Sequence, residues 1–195
     1  MRDIYIWWIG ADAADGRVLT SVRSVIERTF ARTVHVWSAR ERPVDAFDSR
    51  RQQHSSTRIL QWLIERRPAD AYKVLALTDV DLFIPILTFV FGEAQLDGAA
   101  AIVSTARLRT DHGASNLRLL TTRLAKECLH ELGHTFGLIH CSRPGCVMTR
   151  SVNVLDVDGK AASFCEDCWA RYQDLEREGR EDHEQRADSN SDRRR

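Results

Sequence analysis

The sequence predicts an α/β fold of the α+β kind. A mixed five-stranded sheet with one antiparallel edge strand would be packed with helices, and the C-terminal coil would be anchored by metal. Three observations predict it. Apolar runs of strand length alternate with segments whose apolar residues recur at helical spacing. The turn dipeptide Asp97-Gly98 joins two of those runs as a hairpin would, which makes one strand antiparallel to its neighbour. Three histidines, His130, His134 and His140, lie on and just beyond one helix. A chain of 195 residues is long enough to bury one proper core.

Ile4 to Gly10 is the first strand, apolar without alternation and therefore buried on both faces. A turn over Asp12 to Gly16 leads into a helix from about Arg17 to Phe30, with Val18, Val22, Val25, Ile26 and Phe30 at helical spacing. Thr33 to Trp37 makes the second strand, in which His35 is expected to be an ordinary strand side chain. Arg40 to Arg51, polar and holding Pro43, is a loop. Ser55 or Ser56 caps the next helix, which turns Ile59, Leu60, Leu63 and Ile64 inward and stops at Pro68; His54 faces solvent. Tyr72 to Thr78 is the third strand. Leu82 to Phe91 holds the fourth, bent at Pro85 and left at Gly92, and Ala99 to Ser104 is the fifth.

Arg107 to Ser115 is a polar loop carrying His112. Asn116 or Thr121 starts a helix whose apolar face includes Leu120, Leu124, Leu132 and Phe136. From Leu138 to Phe164 no long periodic segment is visible, and a coil of that length in a compact domain is usually functional. Ala170 to Glu178 is a short helix. Gly179 to Arg195 mixes both charge signs without a large apolar residue and is expected to be disordered. The chain thus reads as a single catalytic domain over residues 1–178 and a tail over 179–195.

The string His130-Glu131-Leu132-Gly133-His134-Thr135-Phe136-Gly137-Leu138-Ile139-His140 reads HExxHxxGxxH. On a helix, side chains four apart share one face about 6 Å apart, so His130 and His134 can meet one metal ion. Glu131 follows the first ligand, as suits a carboxylate held beside the metal. His140 is too far round for the same helix. The chain must leave and swing back, and Gly137 permits this because glycine takes left-handed backbone angles without a Cβ clash. Three histidines leave a fourth tetrahedral position open for water, the catalytic pattern for zinc. Such an ion would lower the pKa of its water towards about 7 and polarise a carbonyl, with Glu131 as general base and then general acid. The predicted reaction is hydrolysis of a peptide bond.

The string is the mark of the metzincin metallopeptidases, and the residues after it narrow the resemblance. Cys141 follows His140 directly, then come Cys146-Val147-Met148 and Cys165-Glu166-Asp167-Cys168. HExxHxxGxxHC, CxM and CxxC together resemble the archaemetzincin family over residues 130–168, and Thr78 to Leu82 and Phe89 to Glu93 resemble it less specifically. The resemblance implies a metzincin-like zinc peptidase with two zinc ions per chain. One would be held by His130, His134 and His140 and the other, structural, by Cys141, Cys146, Cys165 and Cys168. It places Met148 as the Met-turn residue, an apolar floor beneath the histidines, and the antiparallel strand as the cleft edge where an extended peptide pairs. It also hints at an aminopeptidase, for which Asp79, Asp81 and Glu93 are candidate amine-binding acids. Some metzincins carry a tyrosine shortly after the Met-turn. Here Thr149 and Arg150 follow, no tyrosine appears until Tyr172, and the oxyanion-stabilising group besides zinc is unassigned.

Four of the five cysteines form two close pairs, which favours a tetrahedral metal site over disulfides. The fifth, Cys128, is expected to be a small buried apolar residue. Lys+Arg and Asp+Glu both number 28, so charge argues against a nucleic-acid partner. No apolar run has the length of a secretory signal or a membrane span. The expectation is a cytoplasmic monomer that acts on a peptide or protein substrate, with neither membrane nor nucleic acid as partner. The competing reading is a zinc-stabilised peptide-binding protein with little or no turnover, against which the intact Glu131 argues.

Overall fold

The computed structural model describes residues 2–10, 15–38, 41–109 and 117–192, with only backbone given for 180 and 182–192. Strand β1 is Asp3–Trp8 and helix α1 is Gly16–Phe30, capped by the Asp15 carboxylate on the Arg17 N–H and closed by Ala31 in the left-handed region. β2 is Val34–Ser38. A single 3-10 turn, Val44–Ala46, leads to β3, Phe47–Asp48, and β4, Gln53–Ser55. Of the two candidate caps, Ser55 is the one that caps α2, Ser56–Arg66. β5 is Ala71–Thr78, β6 Leu82–Phe83, β7 Gly92–Ala94 and β8 Ala100–Ser104. Helices α3, Leu117–Thr135, α4, Val154–Gly159, and α5, Glu166–Asp192, complete the chain.

The main sheet runs β2-β1-β5-β8-β7, parallel except for β7 at the edge. It is the expected mixed sheet of five strands, and period-two alternation explains why its strands read as continuously apolar. Ile4, Ile6, Leu75, Leu77, Ala101 and Val103 turn to one face, where Val22 and Ile26 of α1 and Leu124 and Leu132 of α3 meet them. Tyr5, Trp7, Val74, Ala76 and Ile102 turn to the other and meet Ile59 and Leu63 of α2. Both faces are covered, so no strand needs a polar side.

The structure departs from the sequence reading in four places. The fourth strand does not run through Leu82 to Phe91: β6 joins β3 and β4 in a separate small sheet, and the antiparallel edge begins at Gly92. Pro85 lacks an N–H for a ladder, which is why pairing stops there and resumes beyond the following turn. The polar loop before α2 holds the 3-10 turn and β3. The coil after the histidines contains α4, nucleated by a reciprocal capping box between Asn153 and Asp156. Where the tail is expected to be disordered, helical backbone continues to Asp192. That stretch has no proline, and Glu181, Glu184, Gln185, Arg186 and Ala187 favour helix. The turn over Asp12 to Gly16, the loop around His112 and the Asn116 cap fall largely or wholly outside the described residues.

Candidate metal centre

Helix α3 carries His130, Glu131 and His134 towards the edge of the sheet, and the chain then turns back on itself. Gly137 has φ +90°, the left-handed region that only glycine enters without strain. Its N–H bonds the His134 carbonyl and the Leu138 N–H bonds that of Gly133, so the helix closes in one turn. His140 is thereby returned to the other two. The ligand atoms of the three histidines lie within 4.8 Å of one another.

Ring orientation is imposed by the backbone. His130 Nδ1 donates to the Val147 carbonyl at 2.8 Å and His134 Nδ1 to the Leu138 carbonyl at 2.7 Å. A carbonyl can only accept, so both rings keep the tautomer whose Nε2 lone pair is free for a metal. Those two Nε2 atoms are 3.1 Å apart. Zinc–nitrogen bonds of about 2.0–2.1 Å at tetrahedral angles require about 3.3 Å, so the pair fits a zinc ion. Burial holds His130 well below the usual histidine range and lowers His134 and His140 too. Neutral imidazole is the form that ligates.

Met148 is completely buried, and its Sδ lies so close beneath Gly133 that a Cβ there would come within 2.5 Å of it. The methionine therefore packs directly against the helix that carries the histidines, and Gly133 is a residue of this site that the spacing alone does not reveal. Glu131 is buried beside the histidines. Burial, and then the neighbouring Glu127 carboxylate, pushes its carboxyl well above the usual range.

The four paired cysteines also converge, their sulfurs within 4.8 Å of one another. Cys141 Sγ is 3.8 Å from Cys165 Sγ, and bonds of about 2.3 Å at tetrahedral angles separate two zinc-bound sulfurs by about 3.8 Å. The Cys168 backbone N–H draws the Cys165 thiol down to about 7, while burial pushes Cys168 up. Cys128 is fully buried, its thiol pushed up by burial, and belongs to the core. The two sets share one backbone segment. Val147 accepts from His130, its own N–H bonds Ser163 just before the CxxC, and the Cys141 N–H bonds the Met148 carbonyl.

A cleft of about 460 Å³ opens over the histidines. One wall is β7 with the segment before it, the floor is α3, and the opposite wall is His140 with Arg150, Ser151 and Val152. Of the candidate amine-binding acids, Asp79 lies 3.8 Å from Arg42 and Asp81 is paired with Arg107 at 2.6 Å. Glu93, which accepts from the Ser56 and Thr57 hydroxyls, is the one that lines the cleft. His35 is paired with Asp3 and takes no part.

Charged residues that the sequence does not single out surround the floor. Glu127, one turn before Glu131, lines the cleft and is paired at 3.1 Å with Lys160, both side chains almost fully buried. Arg123 grips Asp158 at 2.6 Å, and Lys126 donates to the Val157 and Asp158 carbonyls. Together they fasten α4 onto α3. The one available signal is the placing of Lys126 and Glu127 among the apolar residues of a helix that is buried on nearly all sides.

The family model described as Peptidase family M54 matches residues 44–174. The archaemetzincin of Methanocaldococcus jannaschii is 42% identical over 134 residues, 68% of this chain and 73% of the relative. The crystal structure of archaemetzincin from Methanopyrus kandleri superposes with a TM-score of 0.79 at 31% identity, covering 90% of this chain and 96% of that one. The archaemetzincin of Archaeoglobus fulgidus, solved complexed with malonate, gives 0.74 at 34% identity over 86% and 98% of the two chains.

Proposed function

The chain belongs to peptidase family M54, the archaemetzincins, which makes it a zinc metallopeptidase, and we propose that His130, His134 and His140 hold the catalytic zinc with Glu131 as general base. The observation that carries this reading is the convergence of three imidazoles whose tautomers are set by backbone carbonyls. Zinc bound there supplies an acidified water and a Lewis acid for the scissile carbonyl. Glu131 receives the water's proton on its carboxylate and passes it to the leaving amine. Its place beside the histidines, on the helix that carries two of them, puts the carboxylate within reach of such a water.

A second, structural zinc belongs to Cys141, Cys146, Cys165 and Cys168, giving two ions per chain. Gly137 and Met148 fill the helix-exit and Met-turn positions of the metzincin clan. The substrate is a peptide or protein, extended along β7 by strand pairing. Cleavage proceeds from the N-terminus, with Glu93 meeting the ammonium group, so acetylation of a peptide's amine should abolish turnover. Each site takes all its ligands from one chain, as a monomeric enzyme requires, and a thiol-rich metal site belongs in a reducing compartment such as the cytoplasm. Among the described residues no helix is long and apolar enough to cross a membrane.

The test is Glu131→Gln in zinc-replete protein, assayed on a mixed peptide library with metal content measured in parallel. Glutamine keeps the shape but cannot accept the proton. Turnover should fall at least about a hundredfold while two zinc ions remain bound. Undiminished hydrolysis would remove Glu131 from the mechanism, and one zinc or none in the wild type would remove the second site.

A further inference from the structure

The cations around the floor of the cleft have structural partners: Arg123 holds Asp158, Lys126 two carbonyls and Lys160 Glu127. Arg150 differs. Among the described residues it is the one lysine or arginine lining the cleft, it is exposed, and it makes no ion pair or hydrogen bond. The carboxylates lining the same cleft do not need it. Glu127 has Lys160, Glu93 takes two hydroxyls, and Glu131 is buried beside the histidines.

The backbone that presents Arg150 is anchored on both sides. Upstream, Met148 is buried, the Thr149 N–H bonds Cys146 and the Thr149 hydroxyl bonds Arg143. Downstream, the Val152 and Asn153 N–H groups both donate to the Asp156 carboxylate, which leaves that acid engaged within the capping box. A guanidinium fork held on a fixed wall, next to His140 and across from the edge strand, is matched to a planar carboxylate, which it can take with two parallel hydrogen bonds. Ile84 and Leu87, which also line the cleft, are apolar, and Arg51 beside them is engaged with the Leu87 carbonyl.

We propose that Arg150 is a specificity-determining residue that binds a carboxylate of the peptide substrate, supplied either by an acidic side chain near the scissile bond or by the chain's C-terminus. The proposal rests on the cleft being the peptide site, and its test separates the two. Zinc-loaded Glu131→Gln protein is titrated with fluorescent peptides in matched pairs. One series carries Glu or Gln at each successive position, and the other ends in a free acid or an amide. The acid member of one series should bind roughly tenfold tighter, as a charge-assisted hydrogen bond contributes, and the series that responds identifies the source.

In the same background, Arg150→Gln should bring the ratio to about one, Arg150→Lys should keep part of it, and Arg150→Glu should invert it. A merely structural arginine would move both members of each pair together. Peptides that bind or are cleaved with no acid preference, or a preference that survives Arg150→Glu, overturn the role of Arg150 and leave the peptidase reading standing. Binding of no peptide at all overturns both.

Discussion

At the scale of single residues, the least compensable group is Glu127. Burial pushes its carboxyl up even with Lys160 beside it, so the ammonium is what keeps a charge tolerable there. Removing one partner of a buried pair leaves the other stranded, which costs about 3–5 kcal/mol, whereas replacing both can be nearly neutral. Lys160→Met should therefore destabilise zinc-loaded protein by about that amount, and Glu127→Gln/Lys160→Met should recover most of it; urea denaturation of the two variants measures the difference. Additive losses would show that the pair is not coupled. The pairing of His130 with His134 was legible because a helix's geometry dictates that spacing. Lys160 was not, because a partner 33 residues away leaves no local pattern.

Among the elements, the segment from Cys141 to Cys168 bears the strongest coupling. Residues 146–148 accept from His130, donate to Ser163 and carry one of the thiols, so the thiol site and the histidine site are pinned to one stretch of backbone. Cys165→Ser/Cys168→Ser removes two of four thiolates. The thiol-bound zinc should leave, His140 should lose its footing, and a displacement of about 1 Å at such a site can lower activity about a hundredfold. Chelator-driven zinc release followed at both sites checks this. Wild-type release at the histidines in the double variant would mean that the sites are independent.

The long strands and α1 to α3 were readable in the chain because burial on one or two faces imposes a period. β3, β4 and β6 were not, since two or three residues carry no period at all. α4 spans six residues, too few to show a helical period, and its one local sign is the capping box of Asn153 and Asp156. The edge strand was foreseen in orientation and misplaced in register, the turn before it being driven by Pro85 and not by apolar pattern.

Across the whole molecule, Lys73 ties sheet to helix. From β5 its Nζ donates to the Gly98 carbonyl at 2.7 Å and to the Thr135 carbonyl, the last residue of α3, at 2.6 Å. Burial lowers it to about 8 from an ordinary 10.5. Between those two values the unfolded chain holds a proton that the folded chain has released, so stability attributable to Lys73 rises with pH through that window, by up to about 1.4 kcal/mol per unit. Below about 8 the cost of burying the charge is felt in full. Urea midpoints of wild type and Lys73→Met, compared from neutral pH to about 10, should show this rise in the wild type and a flatter profile in the variant. Parallel profiles would remove Lys73 as its source.

The sheet order has a consequence for how the protein comes into being. All five strands of the main sheet lie before Thr105, and all seven side chains of the two candidate metal sites lie after Cys128. A chain synthesised from its N-terminus at about 5–20 residues per second exposes the whole sheet to folding before His130 emerges. A few seconds more pass before Cys168 follows. The side chains of both candidate metal sites are thus made last, together with Leu132, Phe136, Met148 and Tyr172, which close the core over the sheet.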